Sequence, residues 1–117
     1  MKRIGVVLLS VVAGLLAFLL LMPGVAFYSS HSLRATAARS QIEQLMTALK
    51  TYRIDVGSFP AEEQGLQALR TDPGVRNWNG PYVERDIPVD PWGHPYRYTI
   101  ANGRPHILSD GLTPPQR

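Results

Sequence analysis

The residue types that could do catalytic chemistry in this chain stand close together near its C-terminal end. The stretch His106-Ile107-Leu108-Ser109-Asp110 contains the three side-chain types of a hydrolase triad. Neighbours in sequence on a strand rarely point at one another, and the chain contains no G-x-S-x-G nucleophile elbow. We therefore predict that the chain is not an enzyme and has no catalytic residues.

The same stretch carries oxygen atoms of the kind that calcium prefers. Calcium takes about six to eight ligands from carboxylates, hydroxyls and carbonyls. Ser109, Asp110 and the Leu108 carbonyl could supply a few of them, but no acid follows Asp110. Ser109 and Asp110 therefore predict at most an incomplete calcium site, and a simple turn is the competing interpretation. No other cofactor is predicted.

Two other groups of residues look like ligand sets but are better explained otherwise. Asp90, His94 and His106 match no spacing that zinc ligands use, and we interpret the histidines as exposed loop residues. The second group is aromatic, and in so small a domain we expect it to pack a sheet on a helix rather than to form a ligand box. Its members are Trp78, Tyr82, Trp92, Tyr96 and Tyr98.

The elements that must position these residues begin with an apolar run, Ile4–Met22. Its nineteen residues carry no charge, and they would make a helix of about 28 Å, close to the roughly 30 Å hydrocarbon core of a bilayer. Lys2 and Arg3 precede the run, so the positive-inside rule predicts a membrane anchor with a cytoplasmic N-terminus. The alternative is a signal peptide that is cut near Ala26.

An amphipathic helix is predicted after the anchor, over residues 23–56. From Leu33 onward apolar side chains recur at the three- or four-residue spacing of one helix face. We predict that this helix continues the membrane helix, and that apolar packing of the Ile4–Met22 helices and of this apolar face brings subunits together. A flexible link at residues 29–32 is the alternative to a continuous helix. The predicted assembly residues are Ile42, Leu45, Met46, Leu49 and Tyr52.

The remainder of the chain, residues 57–117, is predicted to be a small domain rich in loops. It holds most of the ten prolines and ten glycines. Gly57 is placed to end the long helix, and Asn102-Gly103 is a strong hairpin signal. The predicted elements are a short helix Glu62–Leu69, an edge strand Ile87–Val89, a half-buried strand Tyr96–Ile100 and its returning partner Arg104–Leu108.

The charge distribution argues against nucleic-acid binding. The formal net charge is +3, but Lys2 and Arg3 belong to the predicted cytoplasmic flank. The other basic residues are scattered singly among acids, so they form no basic patch with interleaved aromatics. The chain also has no cysteine, so packing, proline-stiffened loops or partners must hold the domain in place of disulfides.

Five short stretches stand in an order and spacing that point to one family. They are A-L-K-T-Y-R-I-D at 48–55, G-S-F-P at 57–60, E-Q-G-L-Q-A-L at 63–69, W-N-G-P-Y-V at 78–83 and P-V-D-P-W-G-H-P-Y at 88–96. Together they resemble the major pseudopilins of type II secretion, protein G of the general secretion pathway. The resemblance implies an α+β, pilin-like fold in which a long N-terminal helix packs on a small antiparallel sheet.

The same resemblance implies a role in assembly rather than in catalysis. The family polymerises through its N-terminal helices into a periplasmic pseudopilus that drives folded exoproteins across the outer membrane. The partners would be further copies or other pseudopilins, and the inner-membrane secretion machinery. The expected location is the bacterial inner membrane in a single pass, with residues 1–3 cytoplasmic, residues 4–22 in the membrane and the C-terminal domain periplasmic.

Two regions depart from the family pattern. The family has a glycine that prepilin peptidase cuts and a glutamate five residues later, whereas here Gly5 is the only plausible cut glycine and Ser10 stands in the glutamate's place. Near the other end, Ser109-Asp110-Gly111 resembles a shortened remnant of the family's calcium loop. The alternative function is therefore a non-polymerising, membrane-tethered periplasmic accessory or binding module of the same fold.

Overall fold

The computed structural model of the chain describes residues 10–18 and 23–112. The cytoplasmic flank 1–3, Gly5 and both ends of the predicted anchor Ile4–Met22 lie outside the described residues. Residues 10–18 are helical, and among the described residues no helix is both long enough and apolar enough to cross a membrane. The large apolar side chains of this segment are 53–60% exposed; they are Val11, Val12, Leu15, Leu16 and Phe18.

A single long helix spans Pro23–Val56. It has 34 residues and includes residues 29–32, where the alternative prediction placed a flexible link. The N–H of Gly57 donates to the carbonyl of Arg53 at 2.8 Å, which ends the helix where the glycine signal predicted.

The compact unit Arg34–Arg117 is organised around one hydrophobic core. One face of the helix enters it, with Leu49 and Tyr52 only 0% and 1% exposed. Fully burying a side chain of this size contributes about 1.5–3 kcal/mol, so this face is a main source of the domain's stability. The buried members of the core are Leu45, Ala48, Leu49, Tyr52, Leu66, Ala68, Leu69, Tyr96 and Ile107.

The sheet that covers the helix is one β-hairpin. Strand β1 (Arg97–Ala101) pairs antiparallel with strand β2 (Arg104–Leu108). Asn102 and Gly103 have φ values of 53° and 73°, which a two-residue type I′ turn requires, so the predicted hairpin is confirmed. Along both strands more buried and more exposed side chains alternate, so one face of the sheet can pack on the helix. The α+β architecture is therefore the predicted one.

Two predicted elements are wrong. The helix expected over Glu62–Leu69 is reduced to a turn and a 3₁₀ helix, because Gly65 adopts φ 64° and ψ −166°, a conformation outside the helical region. The edge strand expected over Ile87–Val89 is reduced to one bridge between Val89 and Pro95, since proline has no N–H with which to extend a ladder. Among the described residues, 3₁₀ helices span Leu66–Leu69 and Asp110–Leu112.

Aromatic side chains join the loops to the core. The ring of Tyr82 meets the rings of Tyr52 and Trp78 edge to face, at centroid distances of 5.5 and 5.7 Å. Its hydroxyl donates to Asp55 Oδ2 at 2.9 Å and so attaches the loop of residues 78–82 to the C-terminal end of the long helix. The predicted aromatic core is confirmed for Trp78, Tyr82, Tyr96 and Tyr98. It is wrong for Trp92, which lies against the C-terminal turn.

Hydrogen bonds hold the hairpin to the segment that follows the helix. The Tyr98 hydroxyl donates to the Pro60 carbonyl at 2.7 Å, and Glu62 Oε1 accepts the N–H of Ile100 at 2.6 Å. Burial, with smaller contributions from Tyr52 and Glu62, raises the pKa of Tyr98 to about 12. The phenol therefore stays a neutral donor over the whole physiological pH range.

Replacing Leu49 by alanine should destabilise the domain by about 2–5 kcal/mol, because it removes a fully buried side chain and leaves a cavity. The control is Ile54→Ala on the same helix, where the side chain is 81% exposed and a change within about 0.5 kcal/mol is expected. Denaturant unfolding followed by circular dichroism measures both. Equal losses in the two variants would contradict the position of the core.

Candidate functional site

The candidate site lies where the loop after residue 89 meets the end of β2, and it is centred on Asp90. This carboxylate is 2% exposed, although a charged side chain is almost never fully buried unless it is paired. The loop begins with the sequence Asp90-Pro91-Trp92-Gly93. An aspartate at the first position of such a turn can accept hydrogen bonds from backbone N–H groups two to four residues further along the chain.

Three donors converge on the Asp90 carboxylate. Oδ1 accepts the backbone N–H groups of Trp92 and His94 at 3.0 and 2.8 Å. Oδ2 accepts the hydroxyl of Ser109, itself 3% exposed, at 2.8 Å. We call Asp90, Trp92, His94 and Ser109 the Asp90 cluster; it joins two segments that are 19 residues apart in sequence.

The hydrogen bonds decide the charge state of Asp90. Burial alone would raise the pKa of its carboxyl. The N–H of His94, the hydroxyl of Ser109 and the N–H of Trp92 stabilise the ionised form more strongly, so the pKa of Asp90 lies below its usual value. The His94 imidazole, with Nδ1 3.9 Å from Oδ2, acts in the same direction.

The C-terminal turn, Asp110–Leu112, closes onto this cluster. The N–H of Leu112 donates to the Ser109 carbonyl at 3.1 Å. A Cβ atom on Gly111 would lie 2.0 Å from the Trp92 ring, so only glycine allows the indole to pack on the turn. Asp110 Oδ1 forms an ion pair with the Arg97 guanidinium at 2.7 Å.

The residues predicted as calcium ligands have protein partners in this arrangement. Ser109 donates its hydroxyl to Asp90, and Asp110 pairs with Arg97. Within residues 10–18 and 23–112, no three histidine, cysteine or acidic side chains converge as a metal site would need. The donor set therefore does not fit a calcium ion as it stands.

The structure does not bring the three triad residue types into one relay. His106 lies exposed on β2, while Ser109 is buried against Asp90 and Asp110 pairs with Arg97. His94 is exposed as well, with 56% of its side chain accessible. The two histidines that could be weighed as zinc ligands are thus exposed residues, as interpreted from the sequence.

The apolar face predicted for assembly packs in the hydrophobic core of its own chain. Its residues are Leu45, Leu49 and Tyr52, which are buried in the core, and Ile42 and Met46, which pack against it. A side chain that is already buried offers little area to a neighbouring subunit. Over residues 30–56 of the long helix, where side chains are described, the large apolar residues Leu33 and Ile54 are exposed, at 67% and 81%. The assembly role of the predicted five stays a prediction.

Sequence reasoning missed the structural role of Asp90. The sequence placed this residue only in a set whose spacing matches no zinc site, and nothing linked it to Ser109. The turn sequence did carry a signal for the local bonds to Trp92 and His94, because aspartate is favoured at the first position of such turns. Nothing local could signal the bond to Ser109.

Replacing Asp90 by alanine should cost about 2–4 kcal/mol of unfolding free energy, because the buried Ser109 hydroxyl and two partly buried backbone N–H groups lose their acceptor. Asp90→Asn keeps one oxygen for the backbone donors, and we expect a loss of about 1–2 kcal/mol. The control is Asp86→Ala, whose side chain is 97% exposed. Chemical denaturation measures all three, and a loss for Asp86→Ala as large as that for Asp90→Ala would contradict the assignment.

The stability of the native chain should also depend on the ionisation of Asp90. The pKa of Asp90 is lower in the folded state than in the unfolded state. In an unfolded chain aspartate has a pKa of about 3.9. The stabilisation is therefore complete above that pH and is lost as pH falls through the folded-state pKa. The difference in unfolding free energy between the native chain and Asp90→Asn should stay constant from about pH 7 to 5 and shrink below about pH 4. A difference that grows on acidification would contradict this.

Comparison with known proteins places the chain in a family. The family model of the type II secretion system (T2SS), protein G, matches residues 27–113. The type II secretion system core protein G of Pseudomonas aeruginosa is 34% identical over 99 residues, which are 81% of this chain and 68% of the relative. The proteins of the same name from Aeromonas hydrophila and Vibrio cholerae are 39% identical over 82 residues and 42% identical over 65 residues. These matches cover 64% and 52% of this chain, but the chain spans only 57% and 44% of those two relatives.

A solved structure shows the same fold. The crystal structure of the major pseudopilin from the type 2 secretion system of enterohaemorrhagic Escherichia coli superposes with a TM-score of 0.54 at 32% sequence identity. The match covers 62% of this chain and 67% of that chain. Family model, relatives and fold agree: this chain belongs to the type II secretion system protein G family.

Proposed function

We propose that this chain is a structural subunit of a type II secretion pseudopilus and that it supports the export of folded proteins across the outer membrane. The observation that carries the proposal is the family match over residues 27–113, which includes most of the long helix and nearly all of the compact unit. The relatives are named as core proteins of the secretion system. We infer a role in assembly rather than in catalysis.

The proposed location is the bacterial inner membrane, with a cytoplasmic N-terminus and a periplasmic C-terminal domain. Support comes from the sequence, in which Lys2 and Arg3 precede the uncharged run Ile4–Met22. Positive residues on the short flank favour retention of that side in the cytoplasm. The absence of cysteine is compatible with export, since the hydrophobic core and the Asp90 cluster hold the domain without disulfides.

We propose that subunits associate mainly through the N-terminal apolar segment. Leu45, Leu49 and Tyr52 are buried in the domain's own core and have little area left for a neighbour. Residues 10–18, by contrast, present exposed apolar side chains. The partners are other copies of the chain or other pseudopilins, held by the inner-membrane secretion machinery.

The alternative, a tethered accessory module that does not polymerise, rests on Ser10 in the place of the family's glutamate. A buried carboxylate in an apolar helix is costly unless it is paired, so its loss removes one device that could fix the register between subunits. The relatives' names as core secretion proteins favour the subunit over this alternative.

In its own host, deletion of the gene should abolish export of type II substrates, and the full chain should restore it. The chain has no cysteine, so Leu16→Cys places a single thiol on an exposed helical position. Treatment of membranes with a short bismaleimide should give covalent dimers, because the N-terminal segments of neighbouring subunits pack together. The cysteine-free native chain is the matched control.

Two results would contradict the proposal. One is a Leu16→Cys chain that stays monomeric while deletion of the gene leaves export unchanged. The other is assembly and export that appear only after Ser10→Glu is introduced, since this would identify the native chain as the accessory module. Both readouts use the full chain in membranes.

A further inference from the structure

Near the end of β2 the positive charge of Arg97 lies beside the carboxylate of Asp110, in the stretch that resembles a shortened remnant of the family's calcium loop. We propose that Arg97 acts as a built-in cation for the turn Asp110–Leu112, so that this turn closes onto the Asp90 cluster without calcium. The inference concerns how the domain is held together, and it stands whether or not the chain polymerises.

The first support is the position of Arg97. It is the first residue of β1 and is paired with Leu108, the last residue of β2, so the sheet register fixes its backbone beside the turn. Its Nη2 lies 2.7 Å from Asp110 Oδ1. A calcium ion bound to Asp110 would have to displace this guanidinium or share the carboxylate with it. Sharing is unfavourable because the calcium ion and the guanidinium, both bound to one carboxylate, would repel each other.

The second support is the use of Ser109. Its hydroxyl donates to Asp90 Oδ2 at 2.8 Å, and the residue is 3% exposed. Both oxygens of Asp90 accept hydrogen bonds, so this carboxylate is satisfied as well. A metal that recruited Ser109 or Asp90 would have to break buried hydrogen bonds, which is costly unless every bond is replaced.

The third support is the Trp92 side chain, which covers the turn. The Trp92 ring lies so close to Gly111 that a Cβ there would be 2.0 Å from it. The indole thus packs on the backbone of the turn. Three separate contacts, from Asp90, Trp92 and Arg97, therefore reach residues 109–111, and each comes from a side chain of this chain.

The direct test is thermal melting of the purified full chain in a chelator and in calcium, with magnesium as the control. We expect the same Tm within about 1 °C in the chelator and in about 5 mM calcium, a concentration above the roughly 10⁻³ M dissociation constant of weak extracellular calcium sites. A site of that affinity would raise Tm by about 4 °C or more. A saturable rise of that size with calcium and not with magnesium would overturn the proposal.

The positive test is a double-mutant cycle across the ion pair. Arg97→Gln and Asp110→Asn should each lower Tm by about 1–6 °C, and the double variant should lose less than the sum, because either change alone breaks the pair. The control is Arg104→Gln, an exposed strand arginine with no carboxylate partner among residues 10–18 and 23–112. Strictly additive losses would overturn the role of Arg97. If a variant fails to fold, the calcium titration of the native chain still decides the question.

Discussion

The structure depends on one packing interaction, the burial of a single face of the long helix by a short C-terminal domain. Leu49 and Tyr52 stand at its centre, nearly inaccessible to solvent. On the other side lie a 3₁₀ helix and a two-stranded hairpin, which together supply few regular hydrogen bonds of their own. Neither could persist alone in water, since an isolated hairpin is marginally stable at best. Within the compact unit Arg34–Arg117, the helix face is therefore the surface on which the 3₁₀ helix Leu66–Leu69 and the hairpin are ordered.

The helices and strands that follow the long helix are short, so side chains form hydrogen bonds with many of the backbone N–H and C=O groups there. Asp90 accepts two backbone N–H groups, Glu62 accepts that of Ile100, and the Trp78 indole donates to the Ala68 carbonyl at 2.8 Å. The bonds of Asp90 shape its own turn, whereas those of Glu62 and Trp78 each join a loop to a more distant segment. The loops thus acquire fixed shapes without disulfides, and a polar side chain such as Asp90 becomes as important to the fold as a core leucine.

The elements that could be predicted are those with local signals. Asn102-Gly103 needs only its own two backbone conformations to form the hairpin turn, and the helix face follows from side-chain spacing. The failures have non-local or backbone causes. Gly65 broke a helix whose composition was suitable, and the bond from Ser109 to Asp90 joins residues 19 positions apart. The family resemblance supplied the fold and suggested a remnant of a calcium loop, but it gave no sign that Arg97 pairs with Asp110 in this chain.

Under the proposed function, the chain must divide its apolar surface between folding and assembly. A residue cannot bury the same area against its own domain and against a neighbour, and here the domain takes the face that includes Leu49. Residues 10–18 are not part of that core, and their large apolar side chains are exposed, as are Leu33 and Ile54. If the proposed assembly through the N-terminal segment holds, a substitution within the core should impair assembly through unfolding, whereas one in the segment 10–18 should impair assembly while the domain stays folded. This separation follows from burial alone, and it makes the two roles of the helix accessible to independent experiments.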